Sequence, residues 1–201
     1  MVLKLGILIS GKGSNMLNIV KACKKKIIDA KVCIVITNNS KSLGIKKAKY
    51  EGVNTEIINP KLFKNDEIYE KKISEILIKN NVNLICLAGY TKILGANFID
   101  NWKNQIINIH PSLLPAFKGL NAQEQAFKKG VKYSGCTIHY VNKYLDDGKI
   151  IDQNIVKILK NDDLQTLTKK ILIQEHKLYI NTIIKISKGI IWISLILEII
   201  K

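Results

Sequence analysis

From Leu3 to Ile109 the chain alternates short, nearly unbroken apolar runs with segments of helical periodicity, and few folds accept that pattern. Leu3–Ile9 is interrupted only by Lys4 and Gly6; Val32–Thr37, Asn54–Ile58, Leu84–Ala88 and Gln105–Ile109 repeat the theme. Between them, helices are expected over Asn15–Ile28, over Ser42–Glu51 with Gly52 as the stop, and over Asp66–Lys79 with Ile68, Ile73, Ile76 and Leu77 on one side. A strand apolar on both faces must be covered on both faces. Such strands separated by helices predict an α/β domain, a mostly parallel central sheet with helices on both sides. In such sheets ligands bind beyond the carboxyl ends of the strands. Past Gly130 the pattern changes. Gly135–Val141 and Ile150–Ile158 read as further strands at the sheet edge, followed by a long helix from near Asp162 to Lys188. Without repeats or a linker, the reading is one domain over residues 1–201.

Composition narrows the function classes. With 32 basic against 16 acidic residues the formal net charge is +16, a balance that invites phosphate backbones. Every basic residue is a lysine, however, and nucleic-acid readers favour the planar, bidentate guanidinium. The excess follows a chain rich in lysine, isoleucine and asparagine, so no specific nucleic-acid partner is expected. Cys23, Cys33, Cys86 and Cys136 form no C-x-x-C pair and there is no clustered histidine, which speaks against disulfides and against a metal. Met1–Ile9 is too short for a signal peptide. The apolar run Gly189–Ile200, broken by Ser194 and Glu198, falls short of the roughly 20 residues of a membrane span and reads as a buried strand or helix. The expectation is a cytoplasmic protein without a membrane partner.

Ser10-Gly11-Lys12-Gly13-Ser14-Asn15 follows the first strand and opens the first helix. Glycines permit a sharp turn and close backbone approach, and free amides at a helix start favour an anion. A terminal phosphate suits this loop, with Ser14 and Asn15 adding side-chain donors; a tight turn without a ligand is the plain alternative. A dinucleotide is disfavoured, because a third glycine is missing and the second strand ends in Asn38-Asn39 rather than an acidic residue. The Gly-Lys-Ser/Thr ending of a P-loop is also missing.

Asn108-Ile109-His110-Pro111-Ser112-Leu113-Leu114-Pro115 is the most informative stretch. Strand alternation puts Asn108 and His110 on one face, with Ile109 toward the core and Pro111 ending the strand. A carboxamide donor beside an imidazole suits acyl transfer: the amide meets the oxyanion of a tetrahedral intermediate and the ring moves protons. Asp146, in Leu145-Asp146-Asp147-Gly148, could approach His110, but that run is also ordinary turn chemistry and spacing alone favours the turn. His139 reads as a ligand contact or a half-buried structural residue, and His176 as structural.

These motifs, in this order, resemble the phosphoribosylglycinamide formyltransferase family. The likeness rests on Ile9-Ser10-Gly11-x-Gly13-Ser14-Asn15, Leu87-Ala88-Gly89-Tyr90, Asn108 to Pro115 and Leu145-Asp146-x-Gly148, and runs to Glu175-His176. It implies a Rossmann-like formyltransferase fold and transfer of the formyl group of 10-formyltetrahydrofolate to the amine of glycinamide ribonucleotide, in purine biosynthesis. It implies His110 as general acid/base, Asn108 as oxyanion donor and Asp146 as the carboxylate that raises the histidine pKa. Gly13, Ser14 and Asn15 would take the nucleotide phosphate and Glu175 its ribose; Thr91, Lys92, Ile93, Leu94, Asn108 and Val141 would line the folate pocket. The nucleotide part would fall at about 1–100 and the catalytic and folate part at about 101–201. It further implies small-molecule substrates, no metal, and a monomer or weak homodimer. Some positions depart from the family. Asp66 stands where a basic residue is usual, leaving Lys64 to hold the folate tail; Lys92 replaces an arginine, Lys149 a proline and Leu172 a polar residue near the nucleotide. Formyltetrahydrofolate hydrolase, methionyl-tRNA formyltransferase and a non-catalytic nucleotide-binding module are the alternatives. A sheet beginning within a few residues of Met1, and a loop suited to phosphate, favour the transferase.

Overall fold

The computed structural model describes residues 2–191. Its strands are β1 (Leu3–Ile9), β2 (Ala30–Thr37), β3 (Thr55–Ile57), β4 (Leu84–Leu87), β5 (Ile106–His110), β6 (Tyr133–Tyr140) and β7 (Ile150–Lys157). The helices are α1 (Ser14–Lys24), α2 (Leu43–Tyr50), α3 (Asp66–Lys79), α4 (Ala96–Asn101), α5 (Ala122–Lys128) and α6 (Leu164–Ser187). The strands form one sheet in the order β3-β2-β1-β4-β5-β6-β7. The first five run parallel; at the edge β6 pairs antiparallel with β5 and β7 antiparallel with β6. This is the expected single-domain α/β architecture, with the order reversing beside β1, where β4 lies opposite β2.

Alternating side chains of the central strands divide the core in two. Leu5, Ile7 and Ile9 face α1 and α6 with Met16, Ile19, Leu178 and Ile183. Leu8, Ile36, Ile85 and Ile106 face α3 and α4 with Tyr69, Ile73, Phe98 and Trp102. Burial on both faces explains why these strands read as continuous apolar runs.

Local boundaries correct some expectations. The first helix ends at Lys24 rather than Ile28. Lys26 takes φ 57°, its N–H donates to Cys23 O, and Ile27 N–H reaches back to Ala22 O, a left-handed helix stop made without glycine. On α3, Ile68 is 45% exposed while Tyr69 is fully buried, so the inward stripe is Tyr69, Ile73 and Leu77. Tyr69 can point inward because its hydroxyl meets that of Tyr90 at 2.7 Å. α4 and α5, each under two turns, carry no signal in the periodicity above. The C-terminal run Gly189–Ile200 lies outside the described residues beyond Ile191. Among the described residues, no helix is long and apolar enough to cross a membrane.

Candidate active site

Antiparallel pairing of β5 with β6 sets His139 directly across from Asn108, and Thr137 across from His110. The chain then leaves β6 through a turn and re-enters at β7. Gly148 packs so tightly under this turn that a Cβ there would lie 1.6 Å from the Tyr140 carbonyl oxygen, so no larger residue fits. Asp146, at φ 47°, is folded back between the two rings. Its Oδ2 lies 3.3 Å from His110 Nδ1 and accepts from Gly119 N–H at 2.8 Å; its Oδ1 lies 3.7 Å from His139 Nε2. His110, His139 and Asp146 are all buried.

Hydrogen-bond partners assign the protons. Tyr140 O can only accept, so His139 Nδ1, 2.9 Å away, carries its hydrogen. The remaining His139 nitrogen then accepts from Asn108 Nδ2 at 3.2 Å, which fixes the orientation of the carboxamide. Phe117 O likewise accepts from His110 Nε2–H at 2.8 Å. The other His110 nitrogen, Nδ1, faces the Asp146 carboxylate oxygen Oδ2 at 3.3 Å. Burial alone would raise the Asp146 carboxyl. The hydrogen bond from Gly119 N–H and the facing His110 ring work against it, and the carboxyl is held below its ordinary range.

Asn108, His110, His139 and Asp146 line a cavity of about 440 Å³ together with Thr91, Lys92, Ile93, Leu94 and Val141. Its walls are mostly aliphatic toward Leu87, Leu94 and Ile99. The glycine loop reaches the same face. Ser10 N–H donates to Gly89 O, and Thr91 N–H donates to Ser10 Oγ, each at 3.0 Å. Gly13, at φ 66°, caps α1 in the left-handed region, and a Cβ on it would lie 2.7 Å from Gly44 Cα. The loop carbonyls turn toward α2: Gly11 O accepts from Gly44 N–H and Ser42 Oγ–H, and Lys12 O from Lys47 Nζ. The first amides of α1 have no partner within the helix, as at any helix start.

Some expected site residues meet each other. Asn15 Nδ2 donates to Glu175 Oε2 at 2.7 Å with both side chains buried, so one donor expected for an anion is engaged with α6. Burial raises the Glu175 carboxyl, and the Asn15 hydrogen bond only partly offsets that. Leu172 is half-buried on α6, one turn before Glu175. Lys92 Nζ forms an ion pair with Asp66 Oδ1 at 2.8 Å, whereas Lys64 is exposed. His139 belongs to the buried cluster and was legible only as an undecided residue on an alternating strand; its position opposite Asn108 was the missing signal. Among the described residues, no group of three or more His, Cys, Asp or Glu side chains converges as a metal site would.

Comparison with known proteins points in one direction. The family model described as formyl transferase matches residues 3–183. The phosphoribosylglycinamide formyltransferase of Bacillus subtilis (strain 168) is 38% identical over 176 residues, covering 88% of this chain and 90% of that protein. The trifunctional purine biosynthetic protein adenosine-3 of Bos taurus is 37% identical over 186 residues, 92% of this chain but 18% of that much longer protein. The chain thus spans under a fifth of that trifunctional relative. The crystal structure of glycinamide ribonucleotide transformylase 1 from Symbiobacterium toebii superposes with a TM-score of 0.91 at 37% identity, covering 94% of this chain and 89% of that one.

Proposed function

Because the chain belongs to the phosphoribosylglycinamide formyltransferase family, we propose that this formyltransferase moves the formyl group of 10-formyltetrahydrofolate to the amine of glycinamide ribonucleotide. The observation that carries the reading is the Asn108–His139 contact and the buried His110–Asp146 pair at a cavity whose rim, Gly89–Thr91, is stapled to the glycine loop. One end can grip a phosphate and the other can move an acyl unit.

In this reading the nucleotide occupies the Gly13-Ser14-Asn15 helix start, with Glu175 at its ribose, and the pterin lies against Ile93, Leu94 and Val141. The free amine attacks the formyl carbon. The tetrahedral oxyanion takes the Asn108 N–H not engaged by His139. The His110 ring, held by Asp146, passes a proton to the folate nitrogen as the carbon–nitrogen bond breaks, and the proton lost by the amine restores the ring. Products are formylglycinamide ribonucleotide and tetrahydrofolate. In the free protein the His110 Nε2–H is given to Phe117 O, so the reactive complex exchanges that carbonyl for a substrate atom. Phe117 sits at φ 56°, a conformation that costs of order 1–3 kcal/mol for a residue with a side chain and eases the exchange. No step calls for a metal. The nucleotide part falls at about 1–100, the catalytic and folate part at about 101–201, with Glu175 reaching back. The protein works in the cytoplasm on small molecules, as a monomer or weak homodimer.

Incubation with 10-formyltetrahydrofolate, with and without glycinamide ribonucleotide, tests this. Release of tetrahydrofolate should require the nucleotide. Equal release without it would make the protein a hydrolase, and no release with either would end the proposal.

A further inference from the structure

A folate carries its pterin and one-carbon nitrogen at one end and a glutamate at the other, and the glutamyl carboxylates need a cation or water. The cavity that holds Asn108 and His110 has two lysines in its lining, Lys92 and Lys143. Lys92 is not a freely moving surface side chain. It is 21% exposed, and its ammonium lies 5.6 Å above the centroid of the buried Tyr69 ring. That ring is fixed in turn by the hydroxyl contact with Tyr90, itself part of the cavity wall.

The partner of Lys92 is supplied by the chain. Asp66 Oδ1 sits 2.8 Å from its ammonium, on a side chain 69% exposed in the first turn of α3. Unpaired amides at a helix start favour a negative charge there, so Asp66 is at home whether or not a ligand is bound. The surroundings are acidic as well. Glu67 is adjacent in sequence, and Glu70, one turn on, is buried and accepts from Gly95 N–H at 2.7 Å. A carboxylate arriving at Lys92 must displace Asp66 or lie beside it.

We propose that Asp66 is an internal competitor for the co-substrate's glutamyl carboxylate, holding Lys92 and reducing the advantage of a charged folate tail. This rests on the reading of the cavity as the folate pocket. An exposed ion pair is weak, so the tail is disfavoured by a modest factor and not excluded. Asp66 therefore sets which folate forms the protein prefers, without touching the reacting atoms.

Calorimetric titration of the full chain with tetrahydrofolate and with tetrahydropteroate, the same molecule lacking glutamate, tests the idea independently of turnover. Asp66→Asn should tighten tetrahydrofolate by about threefold to tenfold while tetrahydropteroate changes less than about twofold. Adding Lys92→Met to Asp66→Asn should abolish the gain. Asp66 is exposed, so either substitution there should fold; Asp66→Ser serves as the second variant and should behave alike. Weaker tetrahydrofolate binding by Asp66→Asn would show that Asp66 positions Lys92, and overturns the proposal. So does an equal shift for both ligands, or a gain that survives Lys92→Met and disappears with Lys143→Met. Unaltered protein that binds both folates without transferring formyl sinks the transferase reading alone; protein that binds neither sinks both.

Discussion

At the β1 end of the sheet the groups proposed to meet the nucleotide are backbone amides of one short stretch, Gly11–Asn15. At the β5–β6 end the groups proposed to act on the formyl unit are side chains of Asn108, His110, His139 and Asp146, drawn from strands and a turn that meet only on folding. The first kind of site depends on conformation: Gly13 holds φ 66° against Gly44, and the loop carbonyls are pulled toward α2. The second depends on register. A slip of one residue between β5 and β6 would turn His139 to the opposite face and leave Asn108 without its acceptor. The amide loop can therefore tolerate changes of side chain that keep its shape, and the polar cluster can tolerate changes of backbone that keep its register.

The largest test of that contrast is His110→Ala, expected to lower the turnover of formyl transfer at least about a hundredfold. Near-normal turnover in a steady-state assay would remove His110 from the chemistry. Next comes His139→Phe, which keeps the ring shape but removes the acceptor for Asn108. Turnover should fall about tenfold, the worth of one hydrogen bond of roughly 1–1.5 kcal/mol, with little change in nucleotide KM. A change confined to KM would assign His139 to binding. Gly13→Ala attacks the opposite end. Its Cβ would press on Gly44 at a positive φ, so nucleotide KM should rise by more than turnover falls. If turnover alone suffers, the glycine loop is not the anion grip.

The smallest effects lie in stability against pH, and the two ends should differ in sign. Glu175 is raised above its ordinary 4.5 by burial, so its contribution is complete below that value and lost as pH rises through the folded value. Asp146 is lowered below its ordinary 3.8, so its contribution is complete above that value and lost as pH falls through the folded one. Melting temperatures across pH should show Glu175→Gln flattening the alkaline side of the profile and Asp146→Asn the acid side. The reverse assignment would mean that the two carboxyls have been misread.

Much of the molecule was open to reading from residues alone. The parallel core, the edge strands and the span of α6 follow from nearly unbroken apolar runs and helical periodicity, which belong to single segments and survive without their neighbours. The glycine loop and the Asn108-Ile109-His110 strand end were visible for the same reason. α4 and α5 were not, because helices under two turns leave too short a periodic trace.

What the chain by itself determined is which residues lie on the strands and the longer helices. Tertiary structure alone decided that Asp146 is a buried partner of two rings rather than an ordinary turn residue, that His139 sits opposite Asn108, that Asn15 is spent on Glu175, and that Lys92 is held by Asp66. Apart from Asp146 with His139, which the turn after β6 brings together, those pairs join segments far apart in sequence. Such contacts are set by the packing of whole elements, and no local pattern encodes them.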